Sequence, residues 1–158
     1  MHPRSAGTGR RKAGLTNSTA TPVCFFRQGR VLNATGFLAV GAGAALGAWL
    51  RWTLGIVLDP LFPTMPLGTL SANLIGGYLV GAAVEYFTRH AGLPPQVRLF
   101  IITGFLGGLT TFSTFSAEAV SLLGSAQYAW AGVLIGSHLC GSLIATVLGI
   151  VTIRAFQR

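Results

Sequence analysis

Long apolar stretches dominate the chain from about residue 36 onward, and short polar breaks separate them. The four stretches run from about Gly36 to Val57, Leu67 to Phe87, Val97 to Leu123 and Tyr128 to Ile153. Each is close to the ~20 residues that a helix needs to cross a bilayer. The breaks, at residues 59–66, 88–95 and 124–127, contain residues that stop helices or form turns. The pattern predicts an all-α membrane protein with four transmembrane helices.

The third apolar stretch contains a segment that is unusual for a membrane helix, TGFLGGLTTFSTFS at residues 103–116. Its glycines weaken helical continuity, and its threonine and serine hydroxyls can bind the backbone groups that an interrupted helix leaves open. Irregular backbone at membrane depth is tolerated only where protein or a water-filled cavity surrounds it. We therefore predict that the third helix is broken at this motif and lines a permeation path.

Composition supports the membrane class. Hydrophobic residues make up 51% of the 158 residues, charged residues make up 9%, and the mean hydropathy is +0.64. These values leave too few polar side chains to cover a water-facing surface. The formal charge of +8 does not indicate nucleic-acid binding, because six of the 11 basic residues precede the first apolar stretch. They are Arg4, Arg10, Arg11, Lys12, Arg27 and Arg30.

Residues 1–35 are polar and basic, and residues 36–158 contain all four apolar stretches. We expect the first part to be a disordered tail that contacts anionic lipid, and the second part to be the membrane domain. The tail lacks the uninterrupted apolar core of a secretory signal. A translation start further downstream is the alternative. Cys24 and Cys140 lie in different regions and indicate no disulfide framework.

The basic residues also predict an orientation. If the N-terminus is cytoplasmic, the tail and Arg89, Arg98, Arg154 and Arg158 lie on that side, and only Arg51 lies near the other. Because Lys and Arg favour the cytoplasmic side, both termini are predicted to be cytoplasmic.

Pairs of glycines four residues apart occur in the first, second and fourth stretches. They are Gly43 with Gly47, Gly77 with Gly81, and Gly132 with Gly136. Such pairs let membrane helices approach closely. Together they favour a compact bundle and a dimer, because four helices alone enclose little space for a pore.

Polar and aromatic residues within the stretches are candidates for an ion path. Asn73 is costly in hydrocarbon unless paired, so it either donates to an anion or braces another helix. Phe112 and Phe115 share a helix face, where they either pack in a core or turn their positive ring edges toward an anion. The hydroxyls of Ser113 and Thr114 can supply donors beside those edges.

Three further residues are candidates for a vestibule: Arg51, Glu118 and His138. Arg51 is expected to extend to water, and Glu118 is either a pore-mouth or a structural acid. His138 lies one turn from Ser142, and a buried, hydrogen-bonded histidine is the expectation rather than a metal ligand. No motif of a nucleophile, a phosphate loop or a zinc site occurs, so we do not expect an enzyme.

Three motifs resemble the CrcB-type, or Fluc, fluoride channel family: GAGAALGAWLRW at residues 41–52, PLGTLSANLIGGYLVG at 66–81 and GFLGGLTTFSTFSAE at 104–118. The resemblance covers about residues 36–156. It implies a passive fluoride-specific channel in the cytoplasmic membrane that exports fluoride and lowers its toxicity. It also implies an antiparallel, dual-topology dimer of four-helix subunits with two pores.

The resemblance further implies a structural sodium ion at the dimer centre, held by the backbone carbonyls of Gly107 and Thr110. Asn73, Phe112 and Phe115 would line the fluoride path, with Ser113 and Thr114 beside it. His138 stands where the family often has a small or hydroxyl residue.

The orientation bias fits poorly with equal insertion both ways. A pair of homologous chains of fixed opposite orientation is therefore an alternative to the homodimer. A proton-coupled transporter of cationic drugs and an assembly subunit without transport are the rival functions.

Overall fold

The protein was analysed as a computed structural model that describes residues 33–157. Within that range, four helical regions are long and apolar enough to cross a membrane: Ala34–Leu61, Leu67–Arg89, Pro95–Gly124 and Tyr128–Phe156. We call them the first to fourth spans. The prediction of an all-α membrane protein with four spans is confirmed, and the chain has the architecture of a multi-pass membrane protein. The predicted tail lies outside the described residues up to residue 32.

Side chains cap the N-terminal ends of the first two spans. The helix Ala34–Leu58 begins after Asn33, whose Oδ1 accepts from the Gly36 N–H at 2.8 Å. The second helix follows Pro66, which offers no capping side chain. Asp59 supplies that cap instead, because its Oδ1 accepts from the Gly68 N–H at 2.7 Å. The connection between the two spans is therefore fixed by its own residues.

The first and third spans are in backbone contact. A Cβ atom added at Gly43 would lie 2.8 Å from the Phe105 nitrogen, and one added at Gly47 would overlap the Phe105 carbonyl oxygen. From the other side, a Cβ atom at Gly108 would overlap the Ala44 carbonyl oxygen. The first predicted glycine pair therefore serves the close approach of two helices within one chain.

The second and fourth spans approach one another in the same way. A Cβ atom at Gly77 would lie 3.0 Å from the Ser142 carbonyl oxygen, and one at Gly81 would overlap the Thr146 carbonyl oxygen. Glu85 also joins these spans, since its carboxylate pairs with Arg154 at 3.1 Å. The third glycine pair differs, because no other helix of the described chain lies within 4 Å of a Cβ atom at Gly132 or Gly136.

The third span is not one regular α-helix. It begins as the turn Pro95–Arg98 and continues as the π-helix Leu99–Leu106 and the short α-helical turn Gly107–Leu109. Thr110 and Thr111 have extended backbone, and the α-helix Phe112–Gly124 follows. We call residues 95–109 the upstream segment and Phe112–Gly124 the downstream helix. The sequence analysis did not predict the π-helix.

Candidate functional site

Thr110 is the C-cap that follows the upstream segment. Its φ of −81° and ψ of 151° turn the chain out of the helix. Its N–H and its hydroxyl both donate to the Leu106 carbonyl, at 3.0 and 2.9 Å. One residue thus closes the last turn with both of its donors, in the manner that hydroxyl side chains provide at interrupted helices.

Thr111 begins the downstream helix as its N-cap, with a φ of −149° and a ψ of 122°. Its Oγ1 accepts from the Thr114 N–H at 3.1 Å, which satisfies one of the open donors of a helix start. The same hydroxyl donates to the Thr114 Oγ1 at 3.0 Å and lies 3.2 Å from the Ser113 Oγ. Ser113 and Thr114 therefore contribute their hydroxyls to this cap.

Asn73 of the second span pairs with both peptide groups of Thr111. Its Oδ1 accepts from the Thr111 N–H at 2.8 Å, and its Nδ2 donates to the Thr111 carbonyl at 3.0 Å. A side-chain amide has one acceptor and one donor group, so it replaces the backbone partner that an unbroken helix would supply. In this chain Asn73 makes the bracing contacts that the sequence analysis gave as one of its two alternatives.

His138 of the fourth span joins Asn73 to the aromatic residues. Its Nδ1 lies 3.1 Å from the Asn73 Nδ2, and its ring stacks on Phe115 at 4.8 Å between centroids. Phe115 in turn lies 5.5 Å from Phe112. His138 is only 4% exposed and Phe112 is 79% exposed, so the group extends from the interior of the bundle to its outside.

These side chains line one open groove of about 490 Å³. Its walls contain Asn73, Phe112, Phe115 and His138 of the predicted site, together with Thr110 and Thr111. Ser142 and Thr146 add hydroxyls from the fourth span. Ser113 and Thr114 are not among the groove residues in the part of the chain that the structure describes. The groove is otherwise apolar, being completed by Ile135, Leu139 and Leu143.

The backbone carbonyls near residues 110 and 111 differ in whether a side chain donates a hydrogen bond to them. The Arg51 Nε donates to the Gly108 carbonyl at 3.1 Å, so Arg51 lies against the upstream segment. In the described residues, side chains also donate to the carbonyls of Leu106 and Thr111 but not to those of Gly107 or Thr110. Neutral carbonyl oxygens are ligands that suit hard cations. The backbone carbonyl oxygens of Gly107 and Thr110 are therefore suitable ligands for a sodium ion.

Glu118 belongs to a second groove, of about 620 Å³, at the end of the downstream helix. Its Oε1 accepts from the Thr69 hydroxyl at 2.6 Å, which joins the second span to the downstream helix. Pro63, Ser121 and Gln127 are among the other residues of this groove. The structure thus separates Glu118 from the residues around Asn73, which line a different groove.

Sequence reasoning found these residues but missed how they are connected. The pair of His138 and Ser142 was visible as a polar stripe, yet nothing in the sequence indicated that His138 meets Asn73. The contact of Arg51 with the Gly108 carbonyl was also missed. An arginine in an apolar stretch requires an acceptor, but the acceptor lies 57 residues away in the sequence.

Comparisons with known proteins identify relatives over the membrane domain. The model of a family described as "CrcB-like protein, Camphor Resistance (CrcB)" matches residues 38–150. A protein of Nitrosospira multiformis is 70% identical over 116 residues, which are 73% of this chain and 91% of that protein. A protein of Ralstonia pickettii is 58% identical over 126 residues, or 80% of this chain and 100% of that protein.

A third relative, from Thiobacillus denitrificans, is 57% identical over 120 residues, which are 76% of this chain and 97% of that protein. All three relatives carry the name "Fluoride-specific ion channel FluC". The resemblance drawn from the three sequence motifs is thereby confirmed.

Proposed function

This chain belongs to the CrcB-like family, and from that premise we propose that it is a passive fluoride-specific ion channel. Relatives across most of the membrane domain are named as fluoride channels. The family consists of ion channels, so the prediction that the chain is not an enzyme is confirmed. In this proposal the channel lies in the cytoplasmic membrane and exports fluoride, which lowers its toxicity to the cell.

The observation that carries the proposal is the braced interruption beside an aromatic groove. Asn73 pairs with the N–H and the carbonyl of Thr111, so the peptide groups of this extended residue need neither water nor lipid. Phe112 and Phe115 then border the groove with their rings 5.5 Å apart. Ring edges carry partial positive charge and attract an anion that has lost part of its hydration shell. Such a path suits a small anion.

We assign Asn73, Phe112 and Phe115 to the fluoride path, with Ser113 and Thr114 beside it. Selectivity for fluoride requires groups that replace its tightly held water without binding it too firmly to release it. Polar groups of the protein interleaved with ring edges meet that requirement. Arg51 and Glu118 are proposed as charges along the approach to the path.

We also propose that the carbonyls of Gly107 and Thr110 hold a structural sodium ion. The ion contributes a fixed positive charge at the centre of the assembly. The carbonyls of Gly107 and Thr110 from this chain and from a second chain would together hold the ion. The proposal is supported by the backbone oxygens of Gly107 and Thr110, to which no neighbouring side chain of the described residues donates.

The assembly proposed is an antiparallel dimer, either of two copies of this chain or of this chain with a homologous partner of opposite orientation. Two observations support a second subunit. The groove is open on one side and has Phe112 on its rim, 79% exposed. Gly132 and Gly136 form a small-residue face that no helix of the described chain occupies.

The test is fluoride efflux from liposomes that contain the full chain alone, followed with a fluoride electrode. We expect rapid efflux from wild-type liposomes and a loss of about ten-fold in F112I, because isoleucine removes the positive ring edge that faces the anion. The matched control is F37I, because Phe37 is 81% exposed on the first span and lies outside the groove.

The rival functions give different results in the same liposomes. If F112I and F37I both export fluoride at the wild-type rate, the proposed path is wrong. A chain that is inactive alone but active with a second homologous chain indicates the paired assembly. Absence of flux with or without a partner indicates an assembly subunit, and movement of a cationic drug against protons indicates a transporter.

A further inference from the structure

The Asn73 amide is a hydrogen-bond donor of the groove whose orientation the structure fixes. Its Nδ2 carries two hydrogens, one of which goes to the Thr111 carbonyl at 3.0 Å. The other is directed at the His138 Nδ1 at 3.1 Å. Rotating the amide by half a turn would place its oxygen against the Thr111 carbonyl and its nitrogen against the Thr111 N–H. The amide is therefore fixed, and both of its hydrogens are occupied within the chain.

The orientation of Asn73 decides the tautomer of His138. Since the Asn73 Nδ2 is a donor, the His138 Nδ1 must accept and carries no proton. A neutral imidazole then carries its proton on Nε2. That atom is buried and has no hydrogen-bond partner among the described residues. The side chain as a whole is 4% exposed and lines the groove.

Most of the other polar side chains of the groove donate their hydrogens to acceptors within the chain. The Thr110 hydroxyl donates to the Leu106 carbonyl, the Thr111 hydroxyl to the Thr114 Oγ1 and the Thr146 hydroxyl to the Ser142 carbonyl. The Ser142 hydroxyl and the His138 Nε2–H remain. A hydroxyl rotates to whichever acceptor is near, but the direction of an imidazole N–H is set by its ring. The His138 ring is held on one face by Phe115.

We infer that His138, through its Nε2–H, is the side-chain donor of fixed direction that this groove offers to the permeating anion, in place of the Asn73 amide. The inference rests on the proposed fluoride path and deepens it. A buried N–H without a partner is unfavourable, so a ligand that accepts its hydrogen is stabilised there. In this arrangement Asn73 acts as a positioning residue, which fixes the His138 tautomer and braces Thr111.

The first experiment reads the tautomer and the contact directly. ¹⁵N-histidine-labelled full-length protein is reconstituted in lipid, and its imidazole resonances are recorded by solid-state NMR. The chain has three histidines, and the signal missing from H138F identifies His138. We expect a protonated Nε2, an unprotonated Nδ1, and a shift of the Nε2 signal on addition of fluoride but not of chloride. A protonated Nδ1, or a fluoride response equal to that of chloride, overturns the inference.

The second experiment separates the two ring nitrogens by substitution. H138Q places an amide N–H2 near the former Nε2, H138N places an acceptor near the former Nδ1 only, and H138F keeps the ring that stacks on Phe115. We expect H138F and H138N to lose about ten-fold or more of the fluoride efflux and H138Q to lose less than about three-fold, because only H138Q keeps an N–H donor near the former Nε2 position.

The outcomes distinguish this inference from the proposed function. Wild-type efflux together with full efflux in H138F overturns only the role of His138, whereas absence of wild-type efflux removes the proposed function as well. Each variant is first checked for assembly by size-exclusion chromatography. If H138F does not assemble, the NMR response of the wild-type Nε2 to fluoride decides the question.

Discussion

The two parts of the third span are held in place by different means. The upstream segment packs backbone to backbone on the first span, where glycines such as Gly47 and Gly108 leave no side chain between the helices. The downstream helix is held by side chains, with Thr111 as its cap and Phe115 stacked on His138. The difference shows a division of roles, because the upstream segment exposes carbonyl oxygens and the downstream helix presents rings and hydroxyls.

The largest expected effect comes from adding one methyl group to the backbone contact of the upstream segment. In G47A the new Cβ would overlap the Phe105 carbonyl oxygen, which is backbone and cannot turn aside. We expect a loss of about 3 kcal/mol of stability, at the upper end of the range for overpacking. Thermal unfolding in detergent measures it.

The matched control for that prediction is G41A on the same helix, where no atom of the described chain lies within 4 Å of an added Cβ. We expect G41A to be neutral or up to about 1 kcal/mol more stable, because alanine favours the helix over glycine. Equal stability of G47A and G41A would show that the close packing of the upstream segment is not required.

The next effect concerns the residue that joins the two parts. In N73D the carboxylate cannot donate to the Thr111 carbonyl or to His138, and its charge repels an anion. We expect fluoride efflux to fall by at least about ten-fold, because the new charge lies beside the path and the positioning hydrogen bonds are lost. Size-exclusion chromatography should show an assembly like that of wild type. Unchanged efflux would separate Asn73 from the path.

A smaller effect is expected from the cap of the downstream helix. T111V removes the oxygen that accepts from the Thr114 N–H and should cost about 1 kcal/mol of stability. Hydrogen exchange at the Thr114 amide should become faster, while the upstream segment is unaffected. T111S keeps the hydroxyl and is the control. If T111V and T111S exchange alike, the cap does not hold the downstream helix.

The smallest effect is expected at Glu118, in the middle of the downstream helix. In E118Q the amide oxygen can still accept from the Thr69 hydroxyl. We expect fluoride efflux within about three-fold of wild type, because only the charge is lost and the hydrogen bond is kept. A proton-coupled transporter would instead need this carboxylate. Complete loss of fluoride efflux in E118Q would contradict this prediction and would show that conduction needs the Glu118 charge.

Much of the fold was predictable because apolar length is a direct signal in membrane proteins. The predicted second stretch, Leu67 to Phe87, begins at the first residue of the helix and ends two residues before Arg89. The glycine pairs were informative about close approach but not about partners. Gly43 and Gly77 meet other spans of the same chain, whereas Gly132 has the same spacing and meets none in the described residues. Spacing identifies a small-residue face and does not say what covers it.

The site was predictable in its residues and not in its connections. Asn73 stood out because an amide in an apolar stretch needs a partner. Its partner, the peptide of Thr111, lies 38 residues away and depends on how the spans are arranged. The π-helix Leu99–Leu106 left no pattern in side-chain polarity, since its residues are almost all apolar. The tail and the sodium ion stay predictions.

The extended pair Thr110 and Thr111 has a consequence for the electric field inside the membrane. Peptide dipoles add along a helix, which places about half a positive charge at its start and about half a negative charge at its end. An unbroken span would hold these partial charges at the two membrane surfaces. Here a helix starts at Phe112, one residue beyond the interruption, so its positive end lies within the span. The interruption thus places a positive helix end at Phe112 and the negative end of the upstream segment at Leu109, at a depth where an ionised side chain would be expensive.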